Sequence, residues 1–262
     1  MLFVDQLNNS IKLSNYPKRI VSLVPSQSEL LWDLGLKDEL VGITKFCIHP
    51  AEMFNSVTRV GGTKALDIEK IRSLHPDLII GNKEENEKSQ IELLSKEFNV
   101  WMSDINNLSE AIQAIELIGN LTHKEEKAQM IVQDIKRSFE ILPQVNKSVL
   151  YFIWKNPYMA VGKNTFIGDL LCRLGLKNAL QDAQLRYPEL SIDEIKNLNP
   201  EFIFLSSEPY PFQEKHVKEL QELVPNTQII LVDGEMFSWY GSRLQYSAQY
   251  FSTLLSEITV KK

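Results

Sequence analysis

Two similar α/β lobes with a helical stretch between them are what this sequence predicts, on three observations. The frame L-x-x-L-G-L-K-x-x-L runs from Leu31 to Leu40 and again from Leu171 to Leu180, 140 residues on. The frame I-x-x-I-x-x-L-x-P-[DE]-x-I runs from Ile68 to Ile79 and again from Ile192 to Ile203, 124 residues on and in the same order. Short continuous apolar runs alternate with helical periodicity on either side of a strand-free middle, as expected of parallel strands buried on both faces.

The elements follow in chain order. Arg19 to Val24 reads as a strand, and the leucines after it face a core until Gly35 ends the helix in a left-handed conformation. Leu40 to Thr44 is a second strand. Ile68, Ile71 and Leu74 share one helical face, and Pro76 stops that helix before the strand Leu78-Ile79-Ile80. Leu108 to Asn120 reads as one amphipathic helix. Lys124 to Leu142 reads as a second, with Ala128, Ile131, Ile135, Phe139 and Leu142 at helical spacing and Pro143 as its stop. At 1.5 Å per residue, about 20 residues span roughly 30 Å, which makes this helix a stiff connector. Val149 to Trp154 is a strand, Gly175 repeats the role of Gly35, and Pro200 repeats that of Pro76. Strands Phe202 to Leu205 and Gln228 to Val232 complete the second copy. The expected domains are 1–107, a connecting pair of helices at 108–147, and 148–262.

Composition excludes several classes. Apolar residues at 44% and charged residues at 24% are those of a globular chain. A net charge of −6 offers no basic field, so no nucleic-acid partner is expected. Two cysteines make no disulfide framework, and Cys172, inside an apolar helical frame, is expected in the core. His75 is matched by Asn199 in the repeat and reads as a helix-end surface residue, while His123 and His216 lie in polar helical surroundings. Met1 to Gln6 lacks the basic and apolar regions of a leader, so the sequence as written predicts a cytoplasmic protein, or a periplasmic or membrane-anchored one if a leader was removed. No apolar run approaches the ~20 residues of a membrane span.

In open α/β lobes ligands lie beyond the carboxyl ends of the strands, so the segments there are the candidate site. In the first copy they hold Pro25 and Ser26, then Phe46, Cys47 and His49, then Thr63 and Lys64, then Asn82, Glu84 and Glu85. In the second they hold Trp154 and Tyr158, then Glu208, Tyr210 and Phe212, then Glu235, Met236, Trp239 and Tyr240. Arg186, Tyr187 and Arg243 fall near the same mouth, where arginines clamp carboxylates or phosphates. Aromatics and acids converging at loop ends suit a cofactor-sized ligand, with the rings stacking on a planar macrocycle.

Arg19-Ile20-Val21-Ser22-Leu23-Val24-Pro25-Ser26, with Ser28-Glu29-Leu30, Gly35 and Val41-Gly42, resembles the opening of the cobalamin- and siderophore-binding periplasmic receptors, and most closely their vitamin B12-receptor-like branch. The resemblance implies two similar Rossmann-like lobes joined by a long backbone helix, the class III substrate-binding architecture. It implies a non-enzymatic monomer that captures a metal chelate between the lobes, a corrinoid such as cobalamin, a ferric siderophore or haem, with no covalent cofactor. It also implies an ABC transporter permease as partner. Such receptors dock through one surface glutamate per lobe; Glu69 matches the first, and the second position falls near Ser238, with Glu235 the nearest acid.

Two further readings remain open on the residues alone. Cys47-x-His49 has the chemistry of a soft metal-ligand pair, although a zinc site takes three or four ligands. Glu84 and Glu208 occupy equivalent positions in the repeat and could act as general acid and base in a metal-dependent enzyme, or pair with Lys64, Arg186 or Arg243. A sensor that kept the fold without transport is the third possibility. Nucleophilic catalysis has no G-x-S-x-G elbow and no H-E-x-x-H to rest on.

Overall fold

The computed structural model describes residues 1–180 and 185–260, the side chains of Thr259 and Val260 excepted. Parts of the predicted C-terminal lobe, 181–184 and 261–262, lie outside the described residues. The chain divides into two units, one made of Met1–Ile105, Ser109–Arg137 and Trp239–Gln245, the other of Asn106–Leu108, Ser138–Ser238 and Tyr246–Lys262.

In the first unit five parallel strands lie in the order Thr58–Arg59, Leu40–Ile43, Ile20–Ser22, Leu78–Asn82, Val100–Ser103. The central strands Ile20–Ser22 and Leu78–Asn82 are buried at every position, which is why they read as unbroken apolar runs. Val21, Ile79, Val100 and Met102 from the sheet pack with Ile71, Ile91 and Leu94 from the helices on it. Two strands of this sheet go beyond the sequence reading. Val100–Ser103 is only four residues long, and Thr58–Arg59 is a two-residue edge with no apolar signature. Asp5 guards the open edge, since its carboxylate accepts the backbone amide of Met102 at 3.2 Å.

The second unit departs from the expected parallel sheet. Lys147–Trp154 pairs in parallel with Phe202–Ser206 and Leu176–Asn178, and Phe202–Ser206 with Gln228–Val232. Tyr158–Ala160, however, runs antiparallel to Lys147–Trp154, and Glu189–Leu190 antiparallel to it in turn. Only three residues separate Trp154 from Tyr158, and Asn156 takes a left-handed φ of 65°. A parallel return needs a crossover of a dozen or more residues, so this connection can only close a hairpin.

The repeat holds at the level of caps. Helices Pro25–Asp33 and Phe166–Arg173 both end in Leu-Gly, with φ of 83° at Gly35 and 70° at Gly175. Helices Ile68–Ser73 and Ile192–Leu198 start on Asp67 and Ser191, whose side chains accept the amides of Lys70 and Glu194. They end near His75 and Asn199, both left-handed, ahead of the paired prolines. Leu108–Thr122 and Glu125–Glu140 form the two middle helices. The second has 16 residues, about 24 Å, and is shorter than expected because it ends before Ile141 rather than running on to Pro143. Among the described residues no helix is long and apolar enough to cross a membrane.

Candidate functional site

Strand order in the first unit reverses between Ile20–Ser22 and Leu78–Asn82, and the carboxyl ends of strands at such a reversal are where open α/β sheets bind ligands. The segments leaving those two strands are tied together there. The Asn86 amide donates to the carbonyls of Leu23 and Thr63, at 3.2 and 3.1 Å. Asn82 is buried, and its side-chain oxygen accepts the amides of Glu84 and Glu85 at 2.9 and 3.1 Å. Lys64 donates to the Glu84 carbonyl at 2.6 Å. The structure therefore brings Pro25, Ser26, Thr63, Lys64, Asn82, Glu84 and Glu85 to one edge of one sheet, with Pro25 opening its helix. Asn86 was missed by the sequence reading; an asparagine four residues past a buried strand end was its signal. Gln27 donates to the Ser103 hydroxyl, while its buried Oε1 has no hydrogen-bond partner among the described residues.

Beside this edge, Phe46 is half exposed, and the neighbouring Cys47 is fully buried. The Cys47 Sγ lies 3.1 Å from the hydroxyls of both Ser28 and Thr44, and burial pushes its thiol above the usual range. His49 takes a different partner, packing edge-on against Trp239 with ring centroids 5.7 Å apart. Among the described residues no three His, Cys, Asp or Glu side chains gather as a metal-binding group. The two residues that could have acted as one ligand pair thus have separate environments: Cys47 behaves as a small buried hydrophobe with hydroxyl partners.

The segment Trp239–Gln245 belongs to the first unit although it lies between two segments of the second in sequence. Arg243 does not stand open as an anion clamp. It makes a bidentate pair with Glu29, at 2.9 and 2.7 Å, and its guanidinium lies 4.6 Å from the Trp239 ring centroid. Burial raises the Glu29 pKa, Asp33 adds to this, and the Arg243 hydrogen bond and charge oppose it. Trp239 and Tyr240 are buried within the same segment.

In the second unit the predicted residues sort into two groups. Tyr158 and Phe212 belong to the hydrophobic core, where burial pushes the Tyr158 hydroxyl up to about 12. Trp154 remains 42% exposed and meets Tyr210 edge-on at 5.6 Å. Glu208 accepts from the Ser238 hydroxyl at 2.6 Å, so the position expected to dock a partner is turned to a neighbour in its own unit. Glu235 and Met236 sit half-buried on the short helix Gly234–Ser238, and the Met236 carbonyl accepts from Ser247. Arg186 bonds the Asn106 side chain and the Asn164 carbonyl, and lies over Tyr187. It lines a cavity of about 960 Å³ with Lys163, Asp169 and Cys172 rather than with Trp154. Cys172 is exposed, contrary to the expected core position, because it occupies the outer face of Phe166–Arg173 while Leu170 and Leu171 face inward. Glu69 is exposed and pairs with Arg72.

Known proteins resemble this chain in sequence or in fold. An uncharacterized ABC transporter substrate-binding lipoprotein of Bacillus subtilis, YvrC, is 29% identical over 212 residues, covering 76% of this chain and 67% of its own. A vitamin B12-binding protein of Vibrio cholerae is 26% identical over 195 residues, covering 72% and 70%. The solved haem-binding protein RhuT of Roseiflexus sp. RS-1 superposes with a TM-score of 0.76 at 18% identity, over 90% of this chain and 98% of its own. Residues 20–229 match the family model described as periplasmic binding protein, and the chain belongs to that family.

Proposed function

We propose that this chain is a receptor that binds a metal chelate, a corrinoid or haem in preference to a ferric siderophore, without turnover, and delivers it to an ABC transporter. The observation that carries the reading is the reversal of strand order in the first sheet, which gathers Ser26, Lys64 and the Asn82–Glu85 turn at the place where open α/β sheets bind ligands. The names of the Vibrio cholerae and Roseiflexus proteins supply the ligand class, since cobalamin and haem are both flat metal macrocycles. Half-exposed Trp154 and its neighbour Tyr210 offer ring surface of the matching kind in the second unit. The lipoprotein relative supports action outside the cytoplasmic membrane, and exposed Glu69 is the proposed contact with a permease. The residues also suit binding better than metal-dependent catalysis, because the Cys47 thiol is engaged with two hydroxyls.

The test is a melting and calorimetric titration of the apo protein with cyanocobalamin, cobinamide and haemin. One of the three should bind one-to-one and be recovered chemically unchanged. At a hundredfold excess over Kd it should stabilise the fold by about 2.7 kcal/mol. If none shifts the melting temperature or gives saturable heat, the receptor reading fails.

A further inference from the structure

His216 is the third residue of the helix Glu214–Leu223 and is only 4% exposed, where the sequence predicts polar helical surroundings. Its Nδ1 accepts the backbone amide of Gln213 at 2.9 Å, so the neutral ring carries its proton on Nε2. Nε2 faces the Tyr210 hydroxyl at 3.4 Å. The imidazole stands edge-on to both Tyr210 and Phe212, with centroids 5.5 Å away in each case. Tyr210 in turn meets Phe212 at 4.8 Å and Trp154 at 5.6 Å, and its amide bonds the Ile153 carbonyl at 3.2 Å. One buried imidazole thus underlies the loop that presents Tyr210 to Trp154.

We infer that His216 is a positioning residue for the pair Trp154–Tyr210, holding that pair in place only while its ring is neutral, so that acidification releases the pair and weakens ligand binding. Protonation would turn Nδ1 from an acceptor into a donor aimed at the Gln213 amide, and two donors cannot share that contact. The charged groups around the ring are Lys155, at the end of the strand bearing Trp154, and Lys215 and Glu219 on its own helix; the Tyr210 hydroxyl is the remaining titratable neighbour. Burial, then Lys155 and Lys215, hold the imidazole below the ordinary histidine range against the weaker pull of Glu219. The neutral ring is therefore the resting state near neutrality, and the change comes on the acid side.

The inference rests on the proposed function only in taking Trp154 and Tyr210 as ligand-facing, and its test separates the two. The chain has four tryptophans, so the emission of Trp154 is isolated by difference against Trp154→Phe and titrated with pH in the apo protein. The Trp154 signal should change with a midpoint below the usual histidine range, and the change should vanish in His216→Asn, which keeps an acceptor near Nδ1 but cannot charge. The Kd for cobinamide should rise several-fold across the same window in the native chain and stay flat in His216→Asn. His216→Phe, which keeps a ring and loses the acceptor, should show the acid-type Trp154 signal at neutral pH. A Trp154 signal that ignores pH, or that titrates equally in His216→Asn, overturns the inference. A signal that behaves as expected in a protein that binds no chelate upholds the positioning role and refutes the receptor reading instead.

Discussion

Glu29 and Arg243 come from opposite ends of the sequence and form a bidentate pair inside the first unit, with side chains only 10% and 11% exposed. Removing one partner of such a pair costs more than the pair is worth, because the other charge stays buried alone. Arg243→Ala should therefore lose about 3–5 kcal/mol in urea denaturation at neutral pH. The sign of its pH dependence is fixed by the groups that remain. Without Arg243, burial and Asp33 both raise the Glu29 pKa and only the His49 charge opposes them. A carboxyl whose folded pKa lies above its unfolded value stabilises the fold at acid pH, and that contribution is lost as pH rises through the folded pKa. The deficit of Arg243→Ala against the native chain should thus be small near pH 4 and grow toward pH 7; a deficit independent of pH would contradict it. At this scale the sequence was a partial guide. It marked Arg243 as important but could not show that Glu29, 214 positions away, already occupies it. Cys172 and His216 were misplaced for a related reason: a helical frame gives the period of a face, and one residue of phase decides whether a side chain meets core or solvent.

At the scale of elements the duplicated frames were the most informative signal, because each carries its own stop. Gly35 and Gly175 both adopt left-handed φ and satisfy the carbonyls at a helix end. Their surroundings differ, and this yields a prediction. A Cβ on Gly35 would meet the flexible end of Lys127 at 2.7 Å, so Gly35→Ala should cost roughly the 1–2 kcal/mol of the backbone conformation alone. A Cβ on Gly175 would lie 2.6 Å from the Val145 carbonyl oxygen and 3.0 Å from its amide, both main chain, so Gly175→Ala should cost distinctly more. Paired thermal denaturation of the two variants checks the order, and equal losses would refute it. Continuous apolar runs revealed the central parallel strands for the physical reason that both their faces are covered. Thr58–Arg59, Val100–Ser103 and Tyr158–Ala160 are among the elements that escaped, being two to four residues long and too short to show a period. Tyr158 illustrates the consequence: the sequence places it in a loop after Trp154, and in the structure it is a strand residue in the core.

For the molecule as a whole, the proposed receptor takes its metal chelate at the carboxyl-end loops of each sheet. In the first unit these are Lys45–His49, Thr63–Lys64 and Asn82–Asn86; in the second they include Trp154 and Pro209–Phe212. Hydrogen exchange of the backbone amides, compared with and without saturating cobinamide, reads this most directly, because it reports every loop in one experiment. Exchange should slow in those segments, with the amino-end turns of the same strands, near Arg19, Asp77 and Glu201, unchanged. Protection confined to the amino-end turns, or spread evenly over both edges of the sheets, would contradict it.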